Sequence, residues 1–211
     1  MRSRLLSGIY NGGIHRLLIC SCRSRADLAR DVCHPATCLL NNGITVERHD
    51  AVRDKLARFI KCMRPNAVVV MEPNQIAGHR QGNPKRPDIL VDEGARSYAI
   101  DVSIVEPAAQ SRMQHATLSS LNTPGGAAIQ EEEARKLEYR GGAHFATLVP
   151  FVVESTGRLG PAALAFMNRV SGDAAGKRGK FLLELSVILA RAMGRYSVHT
   201  RSRLLPTGGN Q

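Results

Sequence analysis

The chain has 211 residues, 43% apolar and 22% charged, which suits a single globular domain and excludes a disordered or fibrous protein. Its 29 Lys and Arg against 18 Asp and Glu leave a net charge of +11, which points to a polyanionic partner, nucleic acid ahead of a membrane surface. Five cysteines, an odd number, speak against a secreted disulfide framework, the lack of Trp against stacking platforms for bases, and no apolar run approaches the ~18–20 residues of a membrane span.

Residues 1–19 form a basic segment with Arg2, Arg4 and Arg16, and no acid precedes Asp27. It is compatible with a mitochondrial presequence but reads better as the broken boundary of an upstream domain. Residues 20–43 are a Cys/His segment closed by the turn signal Asn41-Asn42-Gly43. Thr45 is expected to cap a helix whose apolar positions Val52, Leu56, Phe59, Ile60 and Met63 recur at helical spacing, and Arg64-Pro65-Asn66 to end it. Ala67 to Met71 reads as a buried strand and 73–86 as a loop. Two further strands follow, Asp88 to Val91 and Ser97 to Val105, joined by the turn Asp92-Glu93-Gly94. The second alternates, with Tyr98, Ile100, Val102 and Ile104 on one face and Asp101 and Ser103 on the other.

A loop is expected over 106–126 and a helix over Ala127 to Arg140, stopped by Gly141-Gly142. Phe145 to Val153 is a strand, and Gly160-Pro161 opens a helix with Ala163, Phe166, Met167 and Val170 on one stripe. Ser171 to Lys180 reads as a basic linker, Phe181 to Met193 as a helix, and 200–211 as a disordered tail. The fold class is therefore α/β, a small mixed sheet flanked by helices, over residues 44–199.

The segment that carries chemistry is Arg86-Pro87-Asp88, then twelve residues, then Asp101-Val102-Ser103. Pro87 belongs at the start of a strand, and a tight turn brings Asp88 and Asp101 side by side. Carboxylates so placed repel unless a hard divalent cation sits between them, and Mg2+ held there activates water for attack on a phosphodiester. The alternative is structural: Asp88 caps a turn, and Asp101 pairs with Arg96 or Lys136. Glu72 is a candidate third acid or an edge-strand charge. His79, Arg80, Lys85 and Arg86 form a candidate phosphate-binding patch, or a solvated face.

This pattern resembles the PD-(D/E)xK restriction-like nuclease core. The wider succession includes Cys20, Cys22, His34 and Cys38, then Arg48-His49-Asp50, Arg86-Pro87-Asp88, Asp101-Val102-Ser103, Glu133 to Lys136 with Tyr139, and Val149 to Glu154. Over residues 20–195 it is similar to the C-terminal region of reverse-transcriptase polyproteins of non-LTR retrotransposons with a restriction-like endonuclease. The resemblance implies an Mg2+- or Mn2+-dependent endonuclease that nicks target DNA in the nucleus, with Asp88 and Asp101 as catalytic metal ligands. Where the general fold has a lysine two residues after the second acid, this chain has Ser103. The resemblance assigns that lysine to the next helix, here Lys136, with Glu138 where relatives are basic. It further implies a zinc knuckle of Cys20, Cys22, His34 and Cys38, with Cys33 as a substitute donor, or else a decayed knuckle with free thiols. Implied partners are DNA, retroelement RNA and a reverse transcriptase acting in trans, with no membrane. The alternative function is a nucleic-acid-binding remnant without turnover.

Overall fold

The computed structural model describes residues 20–23, 28, 34–73, 86–109, 123–139 and 146–202. The basic segment 1–19, Cys33, Arg80, Lys85, most of the two expected loops, Gly141-Gly142 and residues 203–211 lie outside the described residues.

In chain order come a one-turn helix α1 (His34–Thr37), a 3-10 turn (Leu39–Asn41), α2 (Asn42–Met63), β1 (Val68–Met71), β2 (Ile89–Asp92) and β3 (Ser97–Val105). They are followed by α3 (Gly126–Glu138), β4 (Thr147–Glu154), α4 (Pro161–Ser171) and α5 (Ala175–Arg201). The four strands form one mixed sheet in the order β1-β2-β3-β4. The first two pairs are antiparallel, and β3 runs parallel to β4, reached by a crossover through α3. The expected α/β class, a mixed sheet flanked by helices, is the one found.

Alternation along the strands decides which helices cover which face. Ile89, Val91, Tyr98, Ile100, Val102, Phe151 and Val153 turn one way and bury against α2, α4 and α5. On the opposite face Val105 and Val152 meet Ala127 and Ala128 of α3, small residues that let the helix sit close to the sheet. The turn between β2 and β3 is held by Asp92, whose Oδ1 accepts from the Gly94 amide (2.9 Å) and from Ser97 Oγ (3.1 Å). Gly94 has φ +80, which glycine adopts without a Cβ clash. Pro150 sits inside β4, where an edge strand tolerates its missing N–H.

Several local expectations are corrected. The run Ala67 to Met71 is not a buried strand: β1 is an edge, and Val68 and Val70 face outward. The linker expected over Ser171 to Lys180 shrinks to residues 172–174, because α5 begins at Ala175 and continues for 27 residues. Gly176 and Gly179 each weaken a helix by roughly 1 kcal/mol, which the buried row Phe181, Leu185, Leu189, Ala192 and Tyr196 outweighs. The tail therefore starts later than expected, since Thr200 and Arg201 belong to α5 and Thr200 is buried.

The turn signal Asn41-Asn42-Gly43 is instead the entry to α2, and Thr45 lies inside the helix, with its hydroxyl bonded to the Asn41 carbonyl (3.3 Å). Asn41 itself is a buried tie. Its Nδ2 donates to the Pro35 carbonyl (2.7 Å) and Thr200 Oγ1 (3.0 Å), and its Oδ1 accepts from His199 Nδ1 (2.7 Å).

Glu132 of α3 caps α4. Its carboxylate accepts from the amides of Ala162 (2.9 Å) and Ala163 (3.4 Å) at that helix's N-terminus. A Cβ at Gly160 would lie 2.1 Å from Glu132 Oε1 and 2.8 Å from its Cδ. Gly160→Ala is therefore expected to drive Glu132 off the helix end and lower stability by about 1–3 kcal/mol, read as a fall in the urea midpoint at unchanged m-value.

Candidate functional site

The acids meet where the β2–β3 ladder ends. Ile89 pairs with Ile100, and Asp88, one residue earlier, is held by its amide to the Ile100 carbonyl (2.9 Å), which brings it beside Asp101. Asp88 Oδ2 accepts the Val102 amide (2.6 Å) and lies 3.4 Å from His49 Nε2. His49 reaches over from α2, with Nε2 also 3.2 Å from the Val102 carbonyl and Nδ1 3.3 Å from Asp50 Oδ1. Both ring nitrogens face acceptors, so the imidazolium is favoured. The hydrogen bond to Asp88, against the opposing effect of burial, raises the His49 pKa from 6.5 to about 9.

Asp101 is buried in the middle of β3, and burial pushes its carboxyl above the usual carboxylate range. Its Oδ1 accepts the Tyr139 hydroxyl (2.8 Å), which also lies 3.1 Å from the Arg86 carbonyl. Its Oδ2 is buried with no hydrogen-bond partner among the described residues, and Arg135 Nε stands 3.5 Å away. Burial beside Asp101 raises the Tyr139 phenol, which stays protonated as a donor.

Helical geometry decides which basic group of α3 attends the acids. Arg135 and Tyr139 are four residues apart and share a face with Glu131, to which Arg135 Nε bonds at 2.9 Å. Lys136 is turned by about 100° from Arg135. It is half exposed, and its Nζ binds Glu133 Oε1 at 2.7 Å. Glu72 ion-pairs with Arg53, which also holds Asp50 (3.1 Å) and Asp54 (3.0 Å). Of the expected phosphate patch, Arg86 is described through its carbonyl, 3.1 Å from the Tyr139 hydroxyl, while His79, Arg80 and Lys85 lie outside the described residues.

A second cluster stands at the N-terminal side of α2. Cys20, Cys22, His34 and Cys38 are all buried, and one donor atom from each lies within 4.8 Å of the others, so this Cys3His set could hold a metal such as zinc. Cys20 Sγ and Cys38 Sγ are 3.8 Å apart, and Cys22 Sγ is 3.3 Å from His34 Nε2. The short spacing of Cys20 and Cys22 thus permits convergence, and Cys33 lies outside the described residues. Burial pushes the Cys38 thiol up to about 11, so a metal entering the cluster would have to displace its proton.

Spacing alone did not single out His49, Arg135 or Tyr139. The signal that could have found the last two is the four-residue step Glu131, Arg135, Tyr139 on the helix expected over Ala127 to Arg140. No family model and no curated protein matches this chain.

The His49–Asp88 contact has a pH signature. A folded-state pKa raised above 6.5 gives stability that is complete below that pH and is lost as pH rises through about 9. In metal-free protein, Asp88→Asn is expected to return the His49 midpoint towards 6.5 and to remove that part of the alkaline loss of stability, followed by NMR titration of the imidazole and by urea unfolding across pH.

Proposed function

We propose that the domain is a restriction-endonuclease-like fold from a retrotransposon polyprotein that hydrolyses DNA phosphodiesters with Mg2+ or Mn2+ at Asp88 and Asp101. The observation that carries this reading is the buried, unbonded Oδ2 of Asp101 beside a second carboxylate at a strand end, in a chain of net charge +11. Two carboxylates and a strand carbonyl suit a hard divalent ion, which would lower the pKa of a bound water and offset charge on the phosphorane. Among the described residues no third acid joins them in a tight cluster, and Glu72 is turned to Arg53.

The chain's own groups have distinct tasks here. Tyr139 fixes the Asp101 carboxylate, so that Oδ2 stays oriented. Asp88 is positioned by the Val102 amide. Arg135 is the cation next to the acids, and it takes the part that the resemblance gives to Lys136, whose ammonium is bound to Glu133. His49, as imidazolium, supplies a second positive charge for a phosphate oxygen. The Cys3His cluster takes Zn2+ and fixes the segment ahead of α2. DNA is the main partner, with retroelement RNA and a reverse transcriptase in trans following from the same origin.

A second reading, binding without turnover, is favoured by one feature: each acid has a cation of the chain beside it, His49 at 3.4 Å from Asp88 and Arg135 at 3.5 Å from Asp101. Nicking of supercoiled plasmid decides between them. The parent is expected to nick with Mg2+ or Mn2+ and not with EDTA. Asp101→Ala and Arg135→Ala are expected to lose at least about a hundredfold, while Lys136→Ala retains most activity. Equal nicking by Asp101→Ala overturns the endonuclease reading, and salt-dependent binding without nicking by the parent establishes the second.

The zinc assignment has its own measurement. Elemental analysis of the purified chain is expected to give one zinc per molecule, Cys38→Ser to lose it, and chelation to lower the melting temperature of the parent but not of the variant.

A further inference from the structure

A cleft of about 460 Å3 runs between α1, the first turns of α2, the C-terminal half of β3 and α3. It lies against the acid site, since His49 and Arg135 belong to both. Its wall contains a group that the reading above leaves idle. Arg48 continues the buried stripe Ile44, Val52, Leu56 of α2, at a position where an apolar side chain would ordinarily sit. It is 7% exposed, and its Cζ lies 5.2 Å from the centre of the Tyr196 ring. Its Nε and Nη1 are buried with no hydrogen-bond partner among the described residues.

A guanidinium out of water with donors unmade is costly, and burial does lower the Arg48 pKa. Glu106 stands in the same wall and its charge acts on Arg48, but its oxygens hydrogen-bond to other groups: Oε2 accepts Ser155 Oγ (2.7 Å) and Oε1 accepts the Ala108 amide (3.3 Å). Ser103, 5% exposed, also lines the cleft, with a hydroxyl that has no hydrogen-bond partner among the described residues. Asn42 and Thr45 of the first turn of α2 also line the cleft, so the positive end of that helix dipole lies on the same side, although the Asn42 amide is bonded to the Leu39 carbonyl. Unmade donors at a planar cation and a hydroxyl call for a compact anion with several acceptor oxygens.

We propose that Arg48 and Ser103 form a seat for a backbone phosphodiester of nucleic acid next to, and distinct from, the phosphate at Asp88 and Asp101. The inference rests on the nucleic-acid side of the function proposed above and is independent of cleavage. Arg48 is fixed by its stack on Tyr196 and gives its free Nε and Nη1 to two phosphate oxygens, while Ser103 donates a third bond. The seat sets the register of the strand, so that the neighbouring linkage falls at the acids.

The test uses the full chain and two probes, a thymidine dinucleotide with one phosphodiester and inorganic phosphate. The Arg48 Nε–Hε resonance, assigned by its absence in Arg48→Lys, is expected to shift saturably with the dinucleotide. Arg48→Met and Ser103→Ala should each weaken dinucleotide binding, by about tenfold or more for the arginine. On longer duplex DNA, Arg48→Met should reduce the slope of log affinity against log salt by about one. Arg48→Met should also unfold at no lower urea concentration than the parent, because an unpaired buried charge is replaced by an apolar group of similar length. No saturable shift, a shift with inorganic phosphate alone, or unchanged dinucleotide affinity in both variants overturns the proposal. Plasmid nicking by Asp101→Ala reads on different residues, so its result leaves this one standing or falling alone.

Discussion

A carboxylate in the middle of a strand that is covered on both faces is the constraint around which this molecule is arranged. β3 pairs with β2 on one side and β4 on the other, with helices above and below, so Asp101, 7% exposed, loses most of its hydration. Stripping an isolated ion of that hydration costs several kcal/mol even after relaxation. A hydrogen bond to a charged group returns only about 1.5–3 kcal/mol, so the Tyr139 hydroxyl alone does not balance it. Arg135 adds attraction from 3.5 Å, yet the carboxyl stays above the usual carboxylate range, so the two partners together do not make up the lost hydration. A valine at this position would carry no such cost; the buried carboxylate, with Arg135 of α3 beside it and His49 of α2 beside Asp88, is the observation on which the proposed chemistry rests.

The pieces of the fold that depend on short-range pattern could be read from the residues. The apolar stripe of α2, the alternation of β3, the Asp92 turn and the Pro161 helix start all follow from spacing of 3.6 or 2 and from backbone preferences, and they occur where those rules put them. The pair Asp88 and Asp101 was visible for the same reason, since a tight turn fixes which residues of a hairpin lie together. What escaped depended on partners distant in sequence. Two glycines and three basic residues ahead of Phe181 look like a linker by composition, yet the helix is carried through them by packing that starts further along the chain. β1 has the composition of an interior strand and lies at the edge, because sheet order is set by which strands find partners.

The same distinction explains the site. Lys136 is adjacent to Arg135 in sequence and looks equivalent to it, but one step along a helix changes direction by about 100°. Only the position of α3 over the sheet decides which of the two basic residues faces Asp101. Arg48 and His49 divide in a similar way: one turns into the apolar stripe beneath Tyr196, the other to the end of the ladder. α2 thus serves the cleft in its first turns and the hydrophobic core thereafter, which ties the spacing of these two features to one helix.

The Asn41 tie reaches across nearly the whole described chain, joining a turn beside the cysteines to His199 and Thr200 at the end of the last helix. Contacts of such long sequence separation close late, because the entropy of the intervening loop must be surrendered before they form. During synthesis the residues next to the Cys/His cluster emerge first, but their polar anchor arrives only when α5 has left the ribosome. The neighbourhood of the Cys/His cluster therefore waits on α5 for its final order, and a nascent chain interrupted before His199 carries its cysteines without that anchor.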